Sequence, residues 1–343
     1  MTGAVRAART IAVVLAGFLA GCATQPPSAP PAEVKVDTPL RGEVLAQNDR
    51  FALYVAGQGD TLAGIAKRFV GDERLQGEVA EFNRISRVEP GQLVAVPLRP
   101  LNPLGISSDG YQTIPILCYH RLGTTAARMI VTRDSFAAQL DYLVKDGYTV
   151  VRLSQVLDFL RGKARLPKKA VVITFDDGSA SVYQYAYPLL KKHGFPATVF
   201  LYTDVIGGRD SLGWPQIREM AQSGLVDFQS HSKTHSNLTI RLENETDQQY
   251  RARLDNEIRG ARDLIQRNLQ NTVTHYAFPY GDANELVLER LAQADHNLGL
   301  TVNPGGNPFF AHPLMLRRTM VFGEYDLEQF QRTLQVFRPV DLR

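Results

Sequence analysis

The chain has 343 residues, 44% of them hydrophobic and 21% charged, which is ordinary globular material sufficient for one large domain and a small one. A formal net charge of +3 is too small to argue for a nucleic-acid partner, and two cysteines exclude a disulfide framework. At the N-terminus, Arg6 and Arg9 precede the apolar run Ile11 to Ala20, which is short for a bilayer span and has the layout of a secretory signal over residues 1–21.

That segment ends in Leu19-Ala20-Gly21-Cys22, which resembles a bacterial lipobox. The resemblance implies cleavage before Cys22, lipidation of its thiol and amine, and stable anchoring through several acyl chains. Ala23 rather than an aspartate follows, which by the lipoprotein sorting pattern implies the outer membrane, facing the periplasm. Residues 22–49 are rich in Pro and Ala and cannot bury enough apolar surface to fold, so the expectation is an extended, disordered tether.

Residues 50–98 read as a small βααβ unit. Phe51, Leu53 and Val55 alternate as a strand, and Asp60 is expected to cap a helix with Leu62, Ile65, Ala66 and Phe69 on one face. Leu75, Val79 and Phe82 point to a second helix, Pro90-Gly91 to a turn, and Leu93 to Val96 to a returning strand. The stretch YVAGQGDTLAGIAKRF, then Asn83, then VEPGQLVAVP resembles a LysM domain over nearly its whole length. That likeness implies binding of N-acetylglucosamine-containing glycans such as peptidoglycan. The groove would run between Gly59, Asp60, Thr61 and Leu62 on one side and Asn83, Arg84 and Ile85 on the other. Asp60 as a simple cap and Asn83 as a turn residue are compatible with this, since a shallow sugar site uses mostly backbone groups.

After a linker at 99–110, residues 111–343 alternate strands and helices. Strands are expected at Ile114 to Tyr119, Tyr148 to Val151, Ala170 to Phe175, Ala197 to Tyr202, Val226 to Gln229, Thr274 to Phe278, Leu298 to Val302 and Met315 to Met320. Helices fall between them, including a long charged one from Asp247 to Asn268. This α/β alternation implies a parallel sheet, and seven or eight units imply a barrel with its chemistry at the C-terminal strand ends. His120, Asp176, Asp177, His231 and Pro279-Tyr280-Gly281 all fall at such ends; Cys118, within an apolar strand, reads as a buried inert thiol.

Two adjacent carboxylates behind a buried strand repel each other and must be desolvated, so a cation is their natural compensation. His231 and His235 with one of them make a three-ligand set of the catalytic zinc kind, and the second carboxylate is free to act as a base. Three motifs in order, TFDDG, HSKTH and FPYG, closely resemble the NodB-homology polysaccharide deacetylases, carbohydrate esterase family 4, over residues 113–320. The resemblance implies a distorted, incomplete (β/α) barrel and metal-dependent removal of N-acetyl groups from glycans. It assigns Asp177, His231 and His235 to a divalent metal (zinc, or cobalt, nickel or manganese) and Asp176 to the general base. Pro279 and Tyr280 belong to the substrate loop, with the Tyr280 N–H facing the oxyanion.

Two family features are missing. An arginine two residues before the motif proline is replaced by Ala277, and the C-terminal Leu-x-His by Leu316-Arg317-Arg318. Arg317 or Arg318 could supply the missing charge. Tyr119-His120 matches a subgroup that includes biofilm exopolysaccharide deacetylases, in which the early histidine takes the general acid's part; a strand-end histidine bonded within the barrel is the other reading. The function expected is N-deacetylation of a cell-wall or exopolysaccharide glycan. The alternatives are a catalytically impaired wall-binding scaffold and an amidase acting on another C–N bond.

Overall fold

The computed structural model describes residues 40–99 and 102–340, which divide into two units between Val96 and Pro97. The signal segment, Cys22 and most of the tether lie outside the described residues.

In the first unit, β1 (Glu43–Gln47), β2 (Phe51–Val55) and β3 (Leu93–Pro97) form a three-stranded sheet. Helices α1 (Leu62–Val70) and α2 (Gln76–Asn83) lie between β2 and β3 in the chain. Three details differ from the sequence reading. β1 falls within the stretch expected to be tether, where it pairs antiparallel with β2, Glu43 opposite Val55. β2 buries Ala52 and Tyr54 and exposes Leu53, because Tyr54 packs its ring on Phe69 of α1 at 5.4 Å. Thr61 caps α1 in place of Asp60, its side chain accepting the Gly64 N–H at 3.0 Å. Asp60 instead accepts the N–H groups of Arg41 (2.9 Å) and Gly57 (2.7 Å) and the Tyr54 hydroxyl, cross-linking three segments. The Asn83 amide is likewise engaged: it donates to Val79 O and Ala95 O and accepts the Ala95 N–H, which fastens α2 to β3.

The second unit opens with β4 (Ile106–Ser107), β5 (Gly110–Tyr119), β6 (Arg121–Gly123), β7 (Ile130–Thr132) and α3 (Arg133–Lys145). It continues through β8 (Thr149–Val150), α4 (Leu153–Leu160), β9 (Ala170–Phe175), α5 (Tyr187–His193), β10 (Ala197–Leu201) and α6 (Trp214–Gln222). Next come β11 (Val226–Ser230), α7 (Asp247–Asp255), α8 (Ala261–Leu269), β12 (His275–Ala277), α9 (Glu285–Gln293) and β13 (Leu298–Leu300). The chain closes with β14 (Gly306–Pro308), β15 (Thr319–Met320), α10 (Leu327–Arg332) and β16 (Phe337–Pro339).

Strands β5, β9, β10, β11, β12 and β13 are neighbours in that order and all parallel. β15 pairs parallel with the other edge of β5, and Leu316 just before it forms a single parallel bridge with Leu300 of β13. The sheet therefore curls until its ends meet through the segment 316–320. The last crossover, from β13 to β15, contains no α-helix, which is where this barrel is irregular. The strand expected over Met315 to Met320 shrinks to two residues. Leu316 spends its N–H on Gly299 O and its carbonyl on Thr301 N, each at 2.8 Å, while Pro313–Met315 forms a 3₁₀ turn.

Side chains alternate along each strand. Ile116, Val172, Phe200, Ala277, Leu298, Leu300 and Leu316 meet in one cluster inside the curl. Leu117, Ile173, Phe175 and Val199 face the other way and pack under Phe136, Leu140 and Leu143 of α3 and Val182. Asp176 continues the inward series of Val172 and Thr174. The long charged helix is interrupted by a π turn at Asn256–Gly260, and the helix expected from Tyr183 opens with another at Val182–Ala186. Such turns add a residue to a helix and re-aim its side chains, often at functional sites.

Candidate active site

At the C-terminal end of the curled sheet a pocket of about 620 Å³ is lined by His120, Asp176, Asp177, His231, His235 and Tyr280, with Arg128, Met129, Phe278, Val302, Met320 and Phe322. Its floor is the TFDDG turn. Asp176 lies one residue past β9, its N–H bonded to Tyr119 O at 2.9 Å, and Asp177 then takes φ 71 to turn the chain. Gly178 follows at φ 68, where a Cβ would press within 2.7 Å of Leu201.

Asp176 is 1% exposed and Arg318 0% exposed. Their planar groups meet in a fork, Nη1 to Oδ1 and Nη2 to Oδ2, both 2.7 Å. Arg318 also donates from Nε to Thr301 O at 2.9 Å and lies over the Phe200 ring at 5.4 Å. Burial opposes the Asp176 charge, but Arg318, with His231, more than offsets it and holds the carboxyl well below the usual carboxylate range. Arg317 points elsewhere, to Pro304 O. Cys118 is buried as expected, yet it is not a bystander: its Sγ lies 3.4 Å from Asp176 Oδ2 in donor geometry.

His231 follows β11, is fully enclosed, and its Nδ1 lies 2.8 Å from Ala277 O. A carbonyl only accepts, so Nδ1 carries the proton and Nε2 presents a lone pair. Burial lowers the pKa of this ring against the pull of Asp176 and Asp177, which favours the neutral form a metal ligand needs. Nε2 of His231 is 3.6 Å, and Nε2 of His235 3.3 Å, from Asp177 Oδ1. That oxygen is buried and has no hydrogen-bond donor.

The Asp177, His231 and His235 ligand atoms all lie within 4.8 Å of one another. An orphaned carboxylate oxygen facing the His231 Nε2 lone pair is unfavourable without a cation between them. The spacing suits one, since ligand atoms at about 2.0–2.2 Å from a tetrahedral zinc lie about 3.3–3.6 Å apart. Asp177, His231 and His235 thus fit a divalent ion by donor type and by distance.

The loop carrying His235 is held both from within the motif and from outside it. Ser232 Oγ accepts the His235 N–H at 2.9 Å. Glu257, 4% exposed and on the π turn, accepts the N–H groups of Lys233 (3.1 Å) and Thr234 (2.9 Å) and the Thr234 hydroxyl (2.9 Å). The rings of Tyr202 and Tyr280 flank His235 at 5.2 and 5.0 Å. Among the described residues eight non-glycine positions have positive φ, and four of them are Asp177, Ser232, His235 and Tyr280, so backbone strain concentrates at this pocket. Glu257→Ala is expected to weaken divalent-ion affinity about 10- to 100-fold, the scale for an outer partner of a ligand. Glu257→Gln, which keeps one carbonyl acceptor, should fall between. Zinc titration calorimetry reads both, and equal affinity in all three proteins would remove Glu257 from the site's support.

His120 follows β5 and lines the same pocket, with the potential ligand atoms of Cys118, His120 and Asp176 also grouped within 4.8 Å. Tyr280 is 62% exposed at the rim, its backbone turned by φ 62 after Pro279. Gly59, Asp60, Thr61 and Asn83 belong to the other unit. Sequence reasoning left Arg317 and Arg318 unresolved and missed Glu257 altogether. Glu257 sits among many charged residues with no local marker.

The sequence profile of the family described as Polysaccharide deacetylase matches residues 163–299. YxkH of Bacillus subtilis, named as a polysaccharide deacetylase, is 31% identical over 200 residues, 58% of this chain and 68% of its own. The chain belongs to the polysaccharide deacetylase family. It is a hydrolase of carbon–nitrogen bonds other than peptide bonds. The poly-β-1,6-N-acetyl-D-glucosamine N-deacetylase of Staphylococcus aureus (strain MRSA252) is 25% identical over 54% of this chain and 67% of its own. Among solved structures, the deacetylase PplD of Streptococcus pyogenes in complex with acetate superposes with a TM-score of 0.59 at 28% identity, over 65% of this chain and 98% of that one. IcaB from Ammonifex degensii gives a TM-score of 0.59 at 28% identity, over 66% and 99%.

Proposed function

We propose that this chain is a metal-dependent N-deacetylase that removes acetyl groups from N-acetylated glycans of a cell wall or an exopolysaccharide. The observation that carries this reading is the buried Asp177 Oδ1 facing two imidazole nitrogens, beside a second carboxylate clamped by Arg318.

An acetamide is a poor electrophile and water a poor nucleophile. A divalent ion would be held by Asp177, His231 and His235, where it would supply a Lewis acid for the carbonyl and lower the pKa of water to about 7. Asp176 takes the proton. Its guanidinium partner lowers its basicity and in return keeps it ionised and aimed, so it suits an acidified water and would fail with an ordinary one. The Tyr280 N–H is the oxyanion donor, and His120 protonates the departing amine. The impaired-scaffold reading rested on the missing arginine at Ala277 and the missing C-terminal histidine; the fork from Arg318 in place of the first, and His120 in the pocket in place of the second, support catalysis.

The small unit is inferred to be a LysM module that holds the enzyme on N-acetylglucosamine-containing polymer, peptidoglycan above all, raising local substrate concentration. Because the Asp60 and Asn83 side chains are spent on internal bonds, sugar contacts there would come from backbone groups and from Gly59 and Thr61. The lipobox-like run to Cys22 supports anchoring to the outer membrane on the periplasmic side.

Acetate release should be measured from peptidoglycan and from poly-N-acetylglucosamine, with and without chelator. Release that a chelator stops and a divalent ion restores is the expected result. No acetate from either polymer with the ion bound would overturn the reading, and full release from demonstrably metal-free protein would overturn the metal's part in it.

A further inference from the structure

We propose that Arg128 makes the pocket select N-acetylated glycans bearing a carboxylate beside the acetamido sugar, over neutral or amine-bearing ones; this rests on the deacetylase reading above. The charged side chains lining the pocket are His120, Arg128, Asp176, Asp177, His231 and His235. Asp176 is neutralised by Arg318, and Asp177 is the anion of the metal set, so among the described residues Arg128 is the one cation of the lining with no assigned partner. Among the described residues no carboxylate pairs with it.

The position of Arg128 is built. Ala127 and Ile130 exchange backbone hydrogen bonds at 3.1 and 2.8 Å, which places Arg128 and Met129 at the tip of a tight turn. The Arg128 carbonyl accepts the Gly323 N–H at 3.1 Å, and any Cβ at position 323 would collide with the carbonyls of Ala127 and Ile130. The guanidinium lies over the Phe322 ring at 5.4 Å. Stacking by a face leaves the edge N–H groups of an arginine available for a planar, bidentate acceptor. The rest of that wall, Met129, Val302, Met320 and Phe322, is apolar and suits the acetyl methyl and the sugar's carbon face.

A carboxylate reaching Arg128 gains charge-assisted hydrogen bonds, whereas a hydroxyl gains only neutral ones. An ammonium left by an earlier deacetylation on the adjacent sugar would be repelled. The acid could be a lactyl ether on a muramic-type sugar or a uronic acid, and the test separates them.

Acetate release is followed from two disaccharides, N-acetylglucosamine joined to a lactyl-ether sugar and N-acetylglucosamine joined to glucuronic acid, each as free acid and as methyl ester. For whichever source the site accepts, the parent's kcat/KM ratio of acid to ester should be about 10, carried mostly by KM, and should shrink as salt is raised. Arg128→Gln should bring that ratio to about 1, Arg128→Glu below 1, and Arg128→Lys should keep part of it. Release from the parent at a ratio near 1 for both acids, or a ratio untouched by Arg128→Gln, overturns the proposal alone. No acetate from any of the four compounds with the ion bound overturns the deacetylase reading and this proposal with it.

Discussion

Asp176→Asn is expected to lower acetate release by about 10³-fold while leaving the bound ion in place, since general base catalysis contributes about 10²–10⁴-fold. An amide keeps the shape of the side chain and can still accept from one arm of Arg318, so the pocket should stay intact, but it cannot take a proton from water. His120→Ala, in the opposite role, should lower acetate release by about 10²-fold or more with metal content unchanged. The decisive measurement is single-turnover acetate release alongside metal content. Parent-like turnover in Asp176→Asn would return the residue to a purely structural part, and a simultaneous loss of metal would make it a ligand.

The second large effect is expected from Arg318→Met. Removing one partner of a buried ion pair leaves an uncompensated charge and costs about 3–5 kcal/mol. The two planar groups are fully enclosed, so solvent screening does little to reduce that figure. The pH dependence follows from the direction of the Asp176 shift. Its folded pKa lies below the unfolded one, so the pair stabilises the parent above the unfolded value, about 3.9, and that contribution is lost as pH falls through the folded value. Without Arg318 burial dominates and the Asp176 pKa rises. The variant should therefore lose its denaturation midpoint advantage at neutral pH, and the acid limb of kcat/KM should move upward. An unchanged urea midpoint and an unchanged acid limb would show that Arg318 is not the counter-charge of the base.

Much of the site is legible in the chain because its chemistry sits in short contiguous runs at strand ends. Asp177 follows the apolar run Ala170 to Phe175, and His231 and His235 follow the strand-like stretch Val226 to Gln229; parallel strands bring their C-terminal ends to one side. That reasoning is local at each strand and needs only the direction of the strands to place the three residues together. The same logic located His120 and Tyr280 at the pocket, although it left their bonding open.

Other features needed the tertiary structure, for reasons that differ by residue. Arg317 and Arg318 are neighbours on an extended segment, so one points in and the other out, and composition cannot tell which. Only the register that sets Thr319 against Leu117 and Leu316 against Leu300 turns Arg318 inward to Asp176. Glu257 acquires its role from loop residues more than twenty positions away, and the π turn that aims it has no residue signature. In the small unit, β2 could bury either alternate set, and the ring of Phe69 decides for Tyr54. Asp60 looked like a helix cap because it precedes an amphipathic run, and Thr61, equally able to cap, took that place once Tyr54, Gly57 and Arg41 had claimed the carboxylate. By itself, then, the sequence determined the alternation of strands and helices, the strand-end motifs and the ligand types, all consequences of periodicity and local chemistry. Which face of a strand is buried, and which partner a buried charge receives, depends on pairings between segments far apart in the chain, and those the packed structure alone decided.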